Sequence, residues 1–147
     1  MNQLILVLDP GETTGWVMAE VPKAASEAGQ VVTLHWGELR SLNEVVYMIT
    51  STCPDTLVYE EYTLRRDVAL AQTGSELFPA QVVGVIKYAC EDVGISRVVP
   101  QSPSEGMQLE DKISIPSLIR SPHARSAYCH LACYLLKRGD FKRRDFA

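Results

Sequence analysis

LILVLDPGETTGW, residues 4–16, governs the architecture expected for this chain. Five apolar residues lead directly into Asp9, and a turn that begins with Pro-Gly follows. A continuous apolar run bounded by turn residues predicts a buried central strand, where an unpaired carboxylate would be costly. Asp9 should therefore lie where the strand emerges, at a place suited to a metal ion, although a hairpin whose turn happens to hold an acid explains the same residues. Gly11 and Gly15 can adopt positive φ, which lets the chain return as an antiparallel strand.

Length and composition predict one domain spanning residues 1–147. The chain is 46% apolar and 22% charged, as expected for a soluble globular protein. No apolar run approaches the roughly 20 residues that cross a bilayer, so we expect no membrane contact, and no signal peptide is expected. The four cysteines form no CxxC pair, which argues against structural zinc and favours reduced thiols in a cytoplasm.

Charge is distributed unevenly along the chain. The net charge of −4 argues weakly against a general binder of polyanions. From Arg120 onward, however, seven Lys or Arg stand against two Asp, so this segment is +5 and the rest is −9. The basic C-terminal tail from about residue 137 fits an electrostatic footprint for nucleic acid, and a solvated helix end explains it equally well.

The order of the predicted elements indicates an α/β fold. Early strands joined by tight turns should be antiparallel, and later strands that alternate with helices should be parallel. The result is a mixed five-stranded sheet with helices on both faces. Residues 21–30, 63–78 and 101–119 are predicted to be connections, the second flexible or a broken helix and the third a mobile loop. After the first hairpin, the predicted elements are a strand over 31–37, a helix capped by Ser41 and ending before Pro54, a strand over 56–62, a helix from Pro79 to Gly94, a strand over 95–99 and a helix from Pro122 to Arg138.

Two carboxylates are candidates to share a metal ion. Asp9 ends the first strand and Glu60 ends the fourth. If the two strands are neighbours, the carboxylates repel each other unless a cation lies between them, and oxygen ligands suit Mg²⁺ or Mn²⁺. Glu61 competes for the second position, because only one of two successive strand residues can face the site. We choose Glu60, the first acid after the apolar run, although solvent exposure also explains the pair.

The last predicted helix carries two histidines on one face. His123, Ser126 and His130 follow one another at spacings of three and four residues. An imidazole near two carboxylates could bind a metal ion or act as an acid or base. For His130, the neighbouring residues favour a packed core or edge histidine instead.

Three motifs in order resemble the RuvC-type Holliday-junction resolvases, and most of all the short phage-type members of that ribonuclease-H-like superfamily. The motifs are LVLDPGETTGW over 6–16, LVYEEY over 57–62 and SPHARSAYCHLACYLL over 121–136, and VVPQSPSE over 98–105 is similar to a further family segment. The resemblance implies a ribonuclease-H-like fold and a homodimeric endonuclease that cleaves Holliday junctions or other branched DNA. It also implies two-metal phosphodiester hydrolysis with Mg²⁺ or Mn²⁺, in a host cytoplasm if the chain is phage-encoded.

The resemblance assigns roles to four residues. Asp9 matches the first catalytic acid, which would bridge both ions, and Glu60 matches the second, which would hold one. His123 falls where bacterial members have an acid and phage members commonly have histidine, and it would orient water or hold the other ion. Ser126 stands where the family carries its last catalytic aspartate. A neutral hydroxyl is a weak ligand, so either activity is impaired, naturally or by engineering, or the second ion is held differently.

Basic residues would bind the phosphates of the DNA. The candidates are Arg65, Arg66, Arg125, Lys142, Arg143 and Arg144.

Two alternatives remain open. Ser126 also fits a catalytically inactive junction-binding protein or a structural dimer. The turn over 9–15 also matches the D-x-G-x-T-x-G phosphate loop of the actin and sugar-kinase superfamily of ATP-binding proteins. Those proteins need two such domains, whereas this chain has one and lacks a second phosphate loop.

Overall fold

The protein has an α/β fold built on one five-stranded sheet. A computed structural model describes residues 1–23, 31–62, 78–139 and 141–146. The strands are β1 (Asn2–Asp9), β2 (Thr14–Pro22), β3 (Thr33–Leu39), β4 (Thr56–Glu60) and β5 (Arg97–Gln101). The helices are α1 (Leu42–Thr52), α2 (Phe78–Val93), α3 (Pro103–Met107) and α4 (Pro122–Arg138), and a 3₁₀ helix (Arg143–Phe146) follows.

The sheet has the predicted mixed topology, with strand order β3-β2-β1-β4-β5. β1 pairs antiparallel with β2, and β2 pairs antiparallel with β3. β4 runs parallel to both β1 and β5. The apolar run of β1 is therefore the buried centre of the sheet, and the carboxyl ends of β1 and β4 meet at the same edge.

Alternate residues of β1 enter two separate cores. Ile5 and Val7 pack beneath α4, whereas Leu6 and Leu8 pack against α1 and α2 on the opposite face. Because successive side chains of a strand point to opposite faces, an uninterrupted apolar run is what a strand covered on both sides requires. The predicted placement of helices on both faces is confirmed.

Two predictions for the segment after α2 were wrong. The fifth strand was expected over 95–99, but β5 lies two residues later, so Gln101 belongs to the sheet rather than to a loop. Within the segment expected to be a mobile loop, residues 103–107 form α3. The backbone N–H of Ser102 donates to Glu105 Oε2 at 2.7 Å, which completes a capping box. The Ser-Pro-Ser-Glu sequence carried this signal.

The basic C-terminal segment is anchored to the domain. α4 ends at Gly139, which has φ 93°, as is common for a C-terminal helix cap. Beyond it, Phe141 and Phe146 are buried in the same core as Tyr128. The backbone N–H of Ser114 donates to the carbonyl of Phe146 at 2.6 Å. Lys142, Arg143 and Arg144, which lie between the two phenylalanines, are therefore exposed on a segment that is packed against the domain.

Helices long and apolar enough to cross a membrane are absent from the described residues. Residues 24–30 and 63–77 lie outside the described part of the chain. Most of the connections predicted over 21–30 and 63–78 therefore lie outside it as well. The four cysteines are free thiols, and Cys90, Cys129 and Cys133 are buried.

Candidate active site

Asp9 and Glu60 lie side by side at the edge of the sheet. The parallel register of β1 and β4 pairs Leu8 with Tyr59, so the next residue of each strand is an acid. Burial, followed by a hydrogen bond and charge repulsion from Glu60, raises the pKa of Asp9 to about 8. Burial also acts to raise the pKa of Glu60, but hydrogen bonds from His130 and Asp9 and the charge of His130 lower it overall. The two acids thus act on each other, and their repulsion favours a shared proton or a bound cation.

Glu60, rather than Glu61, is the acid beside Asp9. Glu60 lies two residues after Val58 and therefore faces the same side of the sheet, where Val58 packs beneath α4. Glu61 is exposed to solvent, and its backbone N–H donates to the carbonyl of Gln101 at 2.7 Å. The alternation of side chains along β4 thus separates the two glutamates. The catalytic role of Glu60 stays a prediction.

The N-terminal half of α4 brings Ser126 to this pair. The Ser126 hydroxyl hydrogen-bonds Asp9 and acts to lower the pKa of Asp9. Two contacts hold the start of the helix. The Ser121 hydroxyl accepts the backbone N–H of Ala124 at 3.2 Å and donates to Glu38 Oε2 at 2.9 Å on β3.

Gly15 allows β2 to approach the first turn of α4 very closely. A Cβ at this position would lie 2.1 Å from the carbonyl carbon and oxygen of His123. No side chain can therefore replace the hydrogen of Gly15 unless the helix moves. The start of α4 is therefore packed directly against the backbone of β2.

The structure does not bring His123 into contact with the two acids among the residues it describes. His123 is exposed in the first turn of α4. The hydrogen bond from Ser121 is the main cause that lowers the pKa of Glu38, and His123 is near enough to Glu38 to contribute to this shift. The i, i+3 spacing placed His123 and Ser126 on one side of the helix. It could not tell which of them points at the sheet edge.

His130 contacts Glu60, a contact that the sequence did not reveal. Its ring is fully buried, as the interpretation of a core histidine required. Its Nε2 lies 3.3 Å from Glu60 Oε1, and its Nδ1 lies 2.7 Å from Gln101 Oε1. The i+4 spacing from Ser126 was a signal for the first contact. The contact with Gln101 depends on the pairing of Glu60 with Gln101 across β4 and β5. The sequence did not indicate this pairing, because the fifth strand was predicted to end at residue 99.

The predicted DNA-binding residues are in different situations. Arg125 is half-buried, donates from Nη1 to the carbonyl of Ile119 at 3.1 Å, and borders a cavity of about 220 Å³ that Ser126 also lines. Lys142, Arg143 and Arg144 are exposed. Arg65 and Arg66 lie outside the described residues.

The donor set fits one hard divalent cation. Within the described ranges, no group of three His, Cys, Asp or Glu side chains could hold a metal ion. Mg²⁺, however, commonly takes only one or two carboxylates and completes its coordination with water and phosphate oxygens. Repulsion from Glu60 contributes to the raised pKa of Asp9, and a cation bound to both acids would relieve it.

Comparison with known proteins identifies the fold. Neither a protein-family model nor a curated protein matches the chain. Thermus thermophilus RuvC in complex with a Holliday junction substrate matches with a TM-score of 0.68 and 15% identity, over 92% of this chain and 95% of that chain. A second Thermus thermophilus RuvC structure matches at 0.62 and 13%, with the same coverage. The fowlpox virus Holliday junction resolvase matches at 0.59 and 12%, over 92% and 99%. The chain therefore has a RuvC-like resolvase fold.

Proposed function

We propose that the chain is a metal-dependent endonuclease that cleaves Holliday junctions or other branched DNA. The observation that carries this proposal is the contact between Asp9 and Glu60 at the carboxyl ends of two parallel strands. The fold supports it, because the solved structures named above are RuvC and a poxvirus resolvase. The first of them is a complex with a Holliday junction substrate, and a further fowlpox virus resolvase structure is a complex with Holliday junction DNA.

The side chains of the site have distinct tasks in this proposal. Asp9 and Glu60 would hold Mg²⁺ or Mn²⁺. When bound, the ion supplies the positive charge that activates an attacking water and stabilises the leaving 3′ oxygen of a phosphodiester. The Ser126 hydroxyl, which acts to lower the pKa of Asp9, would donate to that carboxylate and orient it. His123, exposed at the start of α4, would orient water or help to hold a second ion, for which Asp9 would be the shared ligand.

Binding of DNA would depend on cations around the site. Arg125 lies one residue from Ser126. Lys142 is exposed just before the C-terminal 3₁₀ helix, and Arg143 and Arg144 are exposed on it. Arg65 and Arg66 remain candidates. Since a four-way junction has dyad symmetry, we propose that the single domain works as a two-fold homodimer. The free thiols fit a cytoplasmic setting, that of the host if the chain is phage-encoded.

A second candidate function is junction binding without cleavage. The observation that favours it is the neutral Ser126 hydroxyl, which contacts Asp9 at a place where a third carboxylate would complete the site. A nuclease with only two acids should be slow with Mg²⁺. The ATP-binding alternative has no comparable support, because the similar solved structures are resolvases.

Single-turnover cleavage of a synthetic four-way junction tests the proposal. Wild-type protein and the Asp9→Asn variant are incubated with Mg²⁺ or Mn²⁺, and a linear duplex of the same sequence is the control substrate. Nicks that appear in the junction alone and vanish in the variant support the nuclease. A gel shift of the junction without nicks supports the binder, and the absence of both contradicts both candidates.

A further inference from the structure

The ring of His130 is fixed at both nitrogens. Nδ1 lies 2.7 Å from Gln101 Oε1, and Nε2 lies 3.3 Å from Glu60 Oε1. Gln101 is buried on β5, directly opposite Glu60 in the parallel register. A residue of α4 is therefore clamped between two adjacent strands, and one of its partners is a candidate metal ligand.

The fold leaves space for this ring at one position of α3. A Cβ on Gly106 would lie 2.9 Å from His130 Nε2 and 3.0 Å from Cε1. α3 itself is held by its capping box and by an ion pair between Glu105 on α3 and Lys137 on α4. The helix that covers the imidazole, α3, is thus fixed to the rest of the domain.

Packing alone does not explain an imidazole here. His130 is fully buried, and its neighbours along α4 are apolar, so a leucine would fill the core without the expense of burying polar nitrogens. The arrangement also leaves Gln101 Nε2 buried with no hydrogen-bond partner in the part of the chain that is described. Because His130 Nε2 donates to Glu60, the Nδ1 of the neutral ring is an acceptor. Exchanging the oxygen and nitrogen of the Gln101 amide lets its N–H donate to Nδ1, which satisfies both groups.

We propose that His130, held by Gln101, is a positioning residue that orients the Glu60 carboxylate for binding a divalent cation. This proposal rests on the proposed function, because it takes Glu60 as a metal ligand. An ionised carboxylate can only accept hydrogen bonds, so Nε2 must carry a proton when it bonds Oε1. Oε1 is then fixed by His130, and Oε2 remains available to the ion that Asp9 also binds.

The expected effect is a change in metal affinity. Loss of an outer hydrogen-bond partner of a metal ligand typically weakens affinity or activity by about 10–100-fold. His130→Leu should therefore weaken Mn²⁺ binding by roughly that factor. Gln101→Leu, which leaves the imidazole but removes its anchor, should produce a smaller loss.

Isothermal titration of the metal-free full chain with Mn²⁺ tests this prediction without relying on cleavage. His130→Gln is the rescue variant, because its amide N–H can still donate to Glu60, and it should retain more affinity than His130→Leu. His35→Gln, an exposed change on β3, controls for the substitution. Ile86→Val, a buried change in the core on the opposite face of the sheet, controls for loss of stability. Neither control should alter Mn²⁺ affinity.

The outcomes separate this inference from the proposed function. If Glu60→Gln weakens Mn²⁺ binding but His130→Leu does not, His130 only packs and the inference is overturned. If Glu60→Gln leaves Mn²⁺ affinity unchanged, or the wild-type chain binds no Mn²⁺, the proposed metal site itself fails. Should His130→Leu not fold, a loss of Mn²⁺ affinity in Gln101→Leu, with affinity close to wild type in His130→Gln, supports the inference. Wild-type affinity in Gln101→Leu overturns it.

Discussion

The Ser126 hydroxyl on α4 lies close enough to the Asp9 carboxyl group at the end of β1 to act to lower the pKa of Asp9. Residue 126 is therefore close enough to the candidate metal site to supply a ligand to it. A hydroxyl contributes no charge, and Mg²⁺ depends on charged oxygen ligands more than Mn²⁺ does. The identity of residue 126 should consequently govern which ion supports activity.

Ser126→Asp should raise Mg²⁺-supported cleavage of a four-way junction by at least about tenfold, equivalent to roughly 1.4 kcal/mol of activation free energy. The wild-type chain should be slow with Mg²⁺ and faster with Mn²⁺. Nicking rates and Mg²⁺ titrations of both proteins provide the measurement. Ser126→Asn is the neutral control and should gain nothing. Brisk wild-type cleavage with Mg²⁺ and no gain in the Asp variant would contradict this prediction and direct attention to His123.

Asp9→Asn should abolish cleavage while junction affinity stays the same or increases. The substitution removes one carboxylate from the metal site but leaves the phosphate contacts of the basic residues in place. Gel shifts in the absence of divalent ions measure the affinity, and single-turnover nicking measures the activity. Unchanged nicking by Asp9→Asn would refute the assignment of the active site.

Glu60→Gln should reduce cleavage far more than Glu61→Gln. Glu60 contacts Asp9 and His130, whereas Glu61 is exposed. The two variants are matched in chemistry and differ by one position along the chain, so they serve as controls for each other. A reversed order of the two nicking rates would assign the metal-binding role to Glu61. Equal wild-type rates would exclude both residues.

Joint replacement of Lys142, Arg143 and Arg144 by Gln should flatten the salt dependence of junction binding. Each lost phosphate contact should reduce the slope of log affinity against log salt by roughly 0.9. Folding should persist, because the three side chains are exposed and the segment is held by Phe141 and Phe146. Lys87→Gln, an exposed change on α2, is the control. An unchanged slope in the triple variant would leave this segment without a role in DNA binding.

The metal-free protein should lose stability as pH rises from about 4 to about 8. The pKa of Asp9 is raised from 3.8 to about 8 in the folded chain, chiefly by burial. Across that interval the folded state keeps a proton that the unfolded chain has released, so the free energy of unfolding falls with increasing pH and levels off above 8. Thermal unfolding in EDTA measures the trend. Asp9→Asn should remove most of it, and an unchanged trend in that variant would attribute it to other groups.

Much of the sheet could be predicted from local sequence, and much of the site could not. The apolar runs before Asp9 and Glu60 predicted two central strands, because such runs need cover on both faces. Ser121 and Gly139 predicted both ends of α4, because they satisfy the terminal backbone groups of the helix. These signals are local, and the structure confirms the elements they specify.

The contacts of His130 required information that no local pattern contains. The position of Gln101 depends on the register of β5 against β4, which is set by pairing between distant segments. The rotation of α4 about its axis decides that Ser126, and not His123, meets Asp9. That rotation is a property of the assembled domain, in which the backbone of His123 and Ala124 packs closely against Gly15.

The close approach of Gly106 to the His130 ring should limit which residues homologous chains carry at these two positions. Any side chain at position 106 would intrude on the imidazole, so neither position can change freely while the other is kept. In an alignment of homologous chains, these two columns should covary. Glycine should persist at position 106 wherever position 130 is histidine, and alanine or a larger residue should become frequent only where position 130 has become small. Such a pattern would be a sequence marker for this imidazole in relatives too divergent to be found by overall identity.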